Sequence, residues 1–261
     1  MTKISAHTSS MNPSQVVSMI VFLVIVTAVH LLYQGAIRPF AEAAVAAYGS
    51  GATSNIWVIL KDFEQQASVT IGLFCGFLIM YKYQRIVFHE EPLFTMDYLQ
   101  AYDKTQALNV SEALNELEQS AYAENSSMST WINCLRRYKN TQNVQHASNA
   151  ITENVEMLAA QLESGNSMIR YFIWAIPSIG FIGTVRGIGS ALAKAEEAVA
   201  GDISGMVDKL GVAFNSTLVS LIISIILMYL LHVLNNRQDE MVINTQKNCE
   251  KHLLTQLHQQ E

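Results

Sequence analysis

The sequence predicts an all-α integral membrane protein with four transmembrane helices and long helices that extend into the cytoplasm. Half of the 261 residues are hydrophobic and only 15% are charged, which is unusual for a soluble protein. Four apolar stretches contain no Asp, Glu or Lys: residues 16–33, 67–81, 168–193 and 210–234. All but the second reach the ~18 to 20 residues that cross a bilayer, and the second needs flanking residues, from about Val58 onward.

Basic residues at the ends of these stretches predict the orientation. Lys82, Arg85, Arg170 and Arg237 lie at span ends, and Lys and Arg concentrate in cytoplasmic segments. We therefore expect both termini and the long middle segment to be cytoplasmic. The predicted segments are an N-terminus (1–15), two spans with a short periplasmic loop that is partly helical (16–84), a cytoplasmic helical domain (85–166), spans three and four (167–235) and a cytoplasmic C-terminal helix (236–261).

One helix of the cytoplasmic domain is predicted from its apolar spacing. Apolar residues recur every three or four positions at Val144, Ala147, Ile151, Val155, Leu158 and Leu162, which indicates one face of an amphipathic helix. That face fits packing within one subunit and packing between subunits equally well. No proline lies in 140–176, so the sequence allows this helix to run on into the third span.

Several classes of function are excluded by composition and by missing motifs. The net charge is −6 and the sixteen Lys and Arg are dispersed, which argues against nucleic-acid binding. The chain lacks a hydrolase-type triad, metal-ligand spacing and a phosphate-binding loop. We therefore expect no enzymatic activity, no metal and no cofactor.

The third span contains a run of helix-disfavouring residues. Pro177 leaves the carbonyl of Ile173 without its helical donor and bends the helix, which a membrane protein tolerates where a neighbour satisfies that carbonyl. Gly180, Gly183 and Gly187 follow, and small residues four apart let another helix approach closely. This pattern fits pore packing and also plain helix packing within one subunit.

Hydroxyl groups on the last two spans suggest a polar path. Thr184 lies between two of the glycines, although a threonine hydroxyl also bonds to its own helix. The fourth span begins with Asn215, Ser216, Thr217 and Ser220, and Ser216, Ser220 and Ser224 recur every four residues. We predict that these hydroxyls and Thr184 line a narrow hydrated path for an ion, with Asn215 as a possible contact for a partner.

Charges inside the spans leave two questions. Arg186 lies ~25 Å along the third helix, where it can reach the headgroups or pair with a carboxylate of a partner. Proton relays in membranes usually rely on a carboxylate or a histidine, yet none of the four stretches contains Asp or Glu. If the chain moves protons, another chain is expected to supply the carrier.

These residues resemble a known family. Residues 177 to 188, Pro-Ser-Ile-Gly-Phe-Ile-Gly-Thr-Val-Arg-Gly-Ile, are similar to the Pro-x-x-Gly-x-x-Gly-Thr-Val-x-Gly signature of the MotA/TolQ/ExbB proton-channel family. The start of the fourth span, 211–220, resembles the family's second conserved stretch, and the resemblance covers about 170–236. At the second family threonine it places Val219, and Phe214 stands where ExbB and TolQ members have a glutamate.

The resemblance implies an assembly and a function. It implies a homopentamer in the bacterial inner membrane around a dimer of a single-span partner similar to ExbD, TolR or MotB, whose transmembrane aspartate carries the ion past Thr184. The chain would be the channel-forming subunit of an ion-driven rotary motor, or stator. The translocated ion is expected to be H⁺, and Na⁺ stays open. A non-conducting membrane scaffold is the alternative, followed by a solute transporter.

Overall fold

The computed structural model describes residues 11–94, 96–100, 102 and 108–258 and is helical throughout, with no β-strand in those ranges. Residues 1–10 of the predicted N-terminal segment and residues 259–261 of the predicted C-terminal helix lie outside the described residues. Four helices are long and apolar enough to cross a membrane: Gln15–Tyr48, Phe63–Glu90, Val144–Leu192 and Ser204–Leu257. The all-helical class and the four spans are therefore confirmed, and the protein is a multi-pass membrane protein.

Most of the helices are joined by short connections. In chain order they are α1 (Gln15–Leu32), α2 (Arg38–Tyr48), α3 (Ile56–Leu60), α4 (Phe63–Arg85), α5 (Glu91–Phe94), α6 (Val110–Gln119), α7 (Ser126–Thr141), α8 (Val144–Gly165), α9 (Ser167–Leu192), α10 (Ala195–Val199), α11 (Ser204–Asn248) and α12 (Thr255–His258). Wider π-helical turns at Tyr33–Ile37, Ile86–Glu90 and Cys249–Leu254 connect α1 to α2, α4 to α5 and α11 to α12.

The first two spans are longer than the apolar stretches that predict them. The π-helical turn carries α1 into α2 without a break, so the predicted loop after residue 33 is largely helical. Helix α4 begins at Phe63 and contains 23 residues, which span ~34 Å at 1.5 Å per residue. The second helix is therefore long enough to cross the bilayer, and its first turn contains Glu64.

The chain divides into two compact units. Unit 1 consists of the described parts of Met1–Asn12, Met80–Ser167 and Val233–Glu261, and unit 2 consists of Pro13–Ile79 and Met168–His232. Unit 2 contains most of the apolar helical residues, and many of its large side chains are exposed, as expected for a surface that faces lipid.

Unit 1 has a core of large apolar side chains. Trp131 and Leu135 of α7 are fully buried in a cluster with Val144 and Ile151, which belong to the apolar face of α8. The ring of Tyr98 meets that of Trp131 edge-on at 5.0 Å. The amphipathic face predicted for α8 is therefore confirmed, and it packs within its own subunit.

A buried polar network lies where α8 ends. Lys82 is 3% exposed, and its Nζ donates to the Gly165 carbonyl at 2.7 Å and to the Asn166 Oδ1 at 2.9 Å. Asn166 in turn donates to Gln238 Oε1 at 2.6 Å. A cation at a helix C-terminus satisfies carbonyls that the helix leaves free. Helix α8 thus ends at this network, and only Asn166 separates it from α9.

Candidate functional site

Pro177 lies inside α9, and its missing donor is replaced from α11. A proline leaves the carbonyl four residues earlier without a helical hydrogen bond, which here is the carbonyl of Ile173. Ser224 Oγ donates to that carbonyl at 3.0 Å, and Ser224 is 3% exposed. The fourth span therefore satisfies the backbone group that the proline releases in the third.

The three glycines after Pro177 form the surface on which α11 packs. Gly180, Gly183 and Gly187 are buried in α9. A Cβ added at Gly187 would lie 2.6 Å from the Ala213 Cβ, and one at Gly180 would overlap the Ser220 hydroxyl. Such distances are too short for carbon contacts. Close approach of the two helices thus depends on the absence of side chains at these positions.

Thr184 and Thr217 form a hydroxyl pair between α9 and α11. Their Oγ1 atoms are hydrogen-bonded to each other. Thr184 Oγ1 also lies 3.0 Å from the Ala213 carbonyl and 3.2 Å from the Gly180 carbonyl, and Thr217 Oγ1 lies 3.3 Å from that Gly180 carbonyl. Each hydroxyl has one proton and two lone pairs. The pair therefore has more acceptors than protons, and its oxygens retain lone pairs that a passing cation can contact.

Ser216 and Ser220 lie on the inner side of this pair. They are 1% and 0% exposed, whereas both threonines are only partly buried. Ser216 Oγ donates to the Val212 carbonyl at 3.2 Å, and Ser220 Oγ donates to the Ser216 carbonyl at 2.9 Å. Hydroxyls that bond to their own helix pack closely without leaving a polar group unsatisfied. The two serines fill the space above the glycines.

The family resemblance aligns Val219 with the second conserved threonine of the family. It is 8% exposed. The residue that the structure brings to Thr184 is Thr217, two positions earlier.

Arg186 pairs with a carboxylate of its own chain. Its Nη2 lies 2.7 Å from Glu64 Oε2, and the side chains are 54% and 6% exposed. Arg186 thus has a carboxylate partner within its own chain, and half of its side chain stays exposed. The expectation that no span contains an acidic residue is wrong, because the second helix extends four residues further toward the N-terminus than the apolar stretch indicates. The first turn of α4 contains the charged Glu64 and so lies outside the uninterrupted apolar sequence.

Charged side chains surround an open cavity of about 300 Å³ beside this ion pair, which we call the outer cavity. Burial raises the pKa of the Asp62 carboxyl, whereas the charges of Lys61 and Arg186 lower it and that of Glu64 raises it. Asp62 precedes α4 and so lies just outside the span. The lining residues are Arg38, Glu42, Lys61, Asp62, Phe63 and Arg186.

Asn215 takes no part in the hydrogen bonds of the hydroxyl pair. It lines a second cavity, of about 200 Å³, together with Lys61, Lys194 and Asp208. Within the described ranges no group of three or more His, Cys, Asp or Glu side chains is placed to hold a metal ion.

Comparison with known proteins places these residues in a family. The model of the MotA/TolQ/ExbB proton channel family matches residues 107–247, which is more than half of the chain and extends beyond the region of resemblance at 170–236. No curated protein and no solved structure matches. The matched segment contains Pro177, the glycines of α9 and both members of the hydroxyl pair. The chain therefore belongs to the MotA/TolQ/ExbB proton channel family.

Proposed function

We propose that the chain is the channel-forming subunit of an ion-driven rotary motor in the bacterial inner membrane, with both termini in the cytoplasm. The observation that carries this proposal is the hydroxyl pair of Thr184 and Thr217, which lies within the segment that matches the family and between two membrane-spanning helices. Hydroxyl oxygens with free lone pairs replace part of the water around a cation where lipid provides none.

The ion is proposed to pass along the partly exposed side of this pair. Ser216 and Ser220 form the supporting layer of the pathway. Their hydroxyls face inward, and the two residues hold α11 against α9. Pro177 and the α9 glycines set the distance between the two helices. The path is thus formed by two threonines on a rigid, closely packed support.

A partner chain is proposed to supply the carboxylate that carries the ion. Glu64 is a buried acid of unit 2, but Arg186 already neutralises it at 2.7 Å. The proposed assembly is therefore five copies of this chain around two copies of a single-span subunit with a transmembrane aspartate, for which Arg186 and Asn215 remain proposed contacts.

Ion flux through the assembled complex tests the proposal. The complex that a tagged copy of the chain forms in its native host would be reconstituted into liposomes that contain a pH-sensitive dye, and a potassium diffusion potential would drive flux. Thr184→Val keeps the shape of the side chain and removes the hydroxyl. We expect flux to fall roughly 10- to 100-fold, as for the loss of one hydrogen bond to a charged group, while the subunit composition is unchanged.

Thr27→Val is the matched control. The Thr27 hydroxyl is exposed on α1 and donates to the carbonyl of Leu23 in its own helix at 2.9 Å, so its loss should leave flux unchanged. Unchanged flux in Thr184→Val would contradict the proposed pathway. A wild-type complex that assembles but conducts neither H⁺ nor Na⁺ would favour a non-conducting scaffold.

A further inference from the structure

The outer cavity lies at the same end of three membrane-spanning helices. Arg38 and Glu42 lie near the C-terminal end of the first span, and Phe63 is the first residue of the second. Arg186 lies near the C-terminal end of the third span. Because successive spans cross the bilayer in opposite directions, these three ends belong to one membrane surface. The lining of the cavity is therefore placed at the level of the lipid headgroups.

Both signs of charge line the cavity in equal number once the ion pair is set aside. The Arg186 guanidinium is paired with Glu64 at 2.7 Å. The charged groups that remain in the lining are two cations and two carboxylates: Arg38, Lys61, Glu42 and Asp62. A cavity of about 300 Å³ with this lining fits a small molecule that has a positive and a negative group.

These four groups have few partners of their own. The Oδ2 atom of Asp62 is buried and accepts no hydrogen bond from the described residues. Within the same ranges the side chains of Lys61 and Glu42 form neither a hydrogen bond nor an ion pair. Arg38 donates one long hydrogen bond, to Gln66 Oε1 at 3.4 Å, and a guanidinium has five N–H groups. Polar groups withdrawn from water are costly without partners, so a ligand that supplies both charges would stabilise the lining.

Exposed aromatic side chains accompany these charges. Phe63 lines the cavity and is 65% exposed. The exposed ring of Phe40 lies 5.1 Å from that of Trp57. Aromatic side chains favour the boundary between hydrocarbon and water, and many large apolar side chains of unit 2 are exposed below it. A ligand with hydrocarbon chains thus finds both a polar and an apolar surface here, which a small soluble molecule would not use.

We propose that the outer cavity binds the headgroup of a phospholipid with a primary ammonium, of the phosphatidylethanolamine class. Arg38 and Lys61 would contact the phosphate, because guanidinium and ammonium groups at a membrane surface bind phosphate oxygens. Glu42 and Asp62 would accept hydrogen bonds from the lipid ammonium. This lipid site goes beyond the proposed function and does not depend on it, since none of these four residues belongs to the proposed ion pathway.

The choice of headgroup is the first test. The complex that the full chain forms would be purified from its native host, exchanged into detergent and titrated with dioleoyl phospholipids, and native mass spectrometry would count the bound lipids. Phosphatidylcholine has a methylated nitrogen without an N–H donor, and phosphatidylglycerol has no nitrogen. We expect phosphatidylethanolamine to bind roughly tenfold more tightly than either, as for the loss of a hydrogen bond to a charged group. Equal affinities for the three lipids would overturn the inference.

Two sets of variants separate the phosphate from the ammonium. Lys61→Gln should weaken binding of every phospholipid at this site about tenfold. The double variant Glu42→Gln with Asp62→Asn should still bind phospholipid but lose the preference for phosphatidylethanolamine. Lys194→Gln is the matched control, because Lys194 lies outside the lining and is paired with Glu197 at 2.6 Å. Unchanged binding in Lys61→Gln, or an unchanged preference in the double variant, would contradict the site.

Photo-crosslinking in native membranes tests the site without removing a charge. Phe63→p-benzoylphenylalanine replaces one exposed aromatic side chain of the lining by another, and the same change at Phe40, which is 53% exposed outside the lining, is the control. We expect the adduct at Phe63 to be enriched in phosphatidylethanolamine relative to the adduct at Phe40. Glycerophosphoethanolamine, which is the headgroup without hydrocarbon chains, should not compete at the same concentration.

The remaining outcomes assign the cavity to another ligand. Equal competition by glycerophosphoethanolamine would mean that a soluble zwitterion binds there, and a polypeptide adduct at Phe63 would mean that a protein segment covers the cavity. Either result overturns the lipid site. Because the measurement is bound lipid and not flux, it stands apart from the test of the ion pathway: loss of flux in Thr184→Val with no lipid preference would refute this inference alone.

Discussion

In unit 1, α7 and α8 meet through large apolar side chains such as Trp131, Leu135 and Ile151, each at most 1% exposed. In unit 2, α9 and α11 meet through glycines on one side and hydroxyls on the other. In water, burying large apolar groups drives association. Between helices in lipid that drive is absent, and close contact and hydrogen bonds replace it.

The comparison also bears on function. A core of large side chains leaves no polar group for an ion, whereas hydroxyls packed on glycines stabilise the helix pair and leave oxygens at its edge. In unit 2 the residues that pack and the residues proposed to conduct are neighbours, as Ser216 and Thr217 show.

The largest effect should come from removing the largest buried side chain of unit 1. Trp131→Ala leaves a cavity in a core where the indole is fully buried, and such truncations destabilise by ~3–5 kcal/mol. Limited proteolysis with mass spectrometry should show new cleavage within Met80–Ser167, while Met168–His232 stays protected. Equal cleavage of both segments would mean that the two units do not differ as described.

A smaller effect is expected when a side chain is added to the glycine surface of unit 2. Gly187→Ala places a methyl group 2.6 Å from the Ala213 Cβ, and overpacking of this kind costs about 1–3 kcal/mol. The measurement is the free energy of unfolding in mixed micelles titrated with SDS.

Gly189→Ala is the matched variant on the same helix. An added Cβ at Gly189 meets nothing within 4 Å, so it should be neutral or stabilise by up to about 1 kcal/mol through helix propensity. Equal stability of the two variants would show that α11 does not approach α9 as closely as described.

Removing one hydroxyl from the same interface should have a still smaller effect. Ser224→Ala leaves the Ile173 carbonyl, already released by Pro177, without its donor. Hydrogen bonds between membrane helices contribute about 0.6 kcal/mol on average and up to about 1.7 kcal/mol. Ser178→Ala removes an exposed hydroxyl that bonds to its own helix and should change the free energy of unfolding by less. A larger loss for Ser178→Ala would contradict the role given to Ser224.

The smallest effect should be a pH dependence of unit 2. Burial raises the pKa of Asp62, so the folded state favours its protonated form. The stabilisation of the fold by the protonated Asp62 carboxyl is fully present below the ordinary pKa of an aspartate. It declines as the pH rises through the raised pKa of the folded state. The melting temperature in detergent should therefore fall slightly less between pH 4 and pH 7 for Asp62→Asn than for the wild type. Identical slopes would mean that the carboxyl is well solvated.

The sequence predicted those parts of the fold and site whose signal is local. Four apolar stretches identify the spans, and Pro177 with its glycines identifies the segment where α9 departs from an ordinary helix. The periodicity from Val144 to Leu162 likewise identifies the buried face of α8. Each of these signals lies within one helix.

Features that depend on residues far apart in the chain were missed. The burial of Glu64 depends on Arg186, 122 residues later, and a charged first turn looks like the end of a span. The pairing of Thr217 with Thr184, in place of Val219, depends on how α11 is rotated against α9. That rotation is set by the packing of Ala213 and Ser220 on the glycines, which a single helix does not reveal.

The Glu64–Arg186 pair also has a consequence for biosynthesis. At about 5–20 residues per second, the 122 residues between them take the ribosome roughly 6–24 s. During that time the second span, the least apolar of the four, has an acidic first turn whose partner does not yet exist. A carboxylate in that position opposes insertion. The second span is therefore expected to settle in the bilayer late, when the third arrives with its arginine.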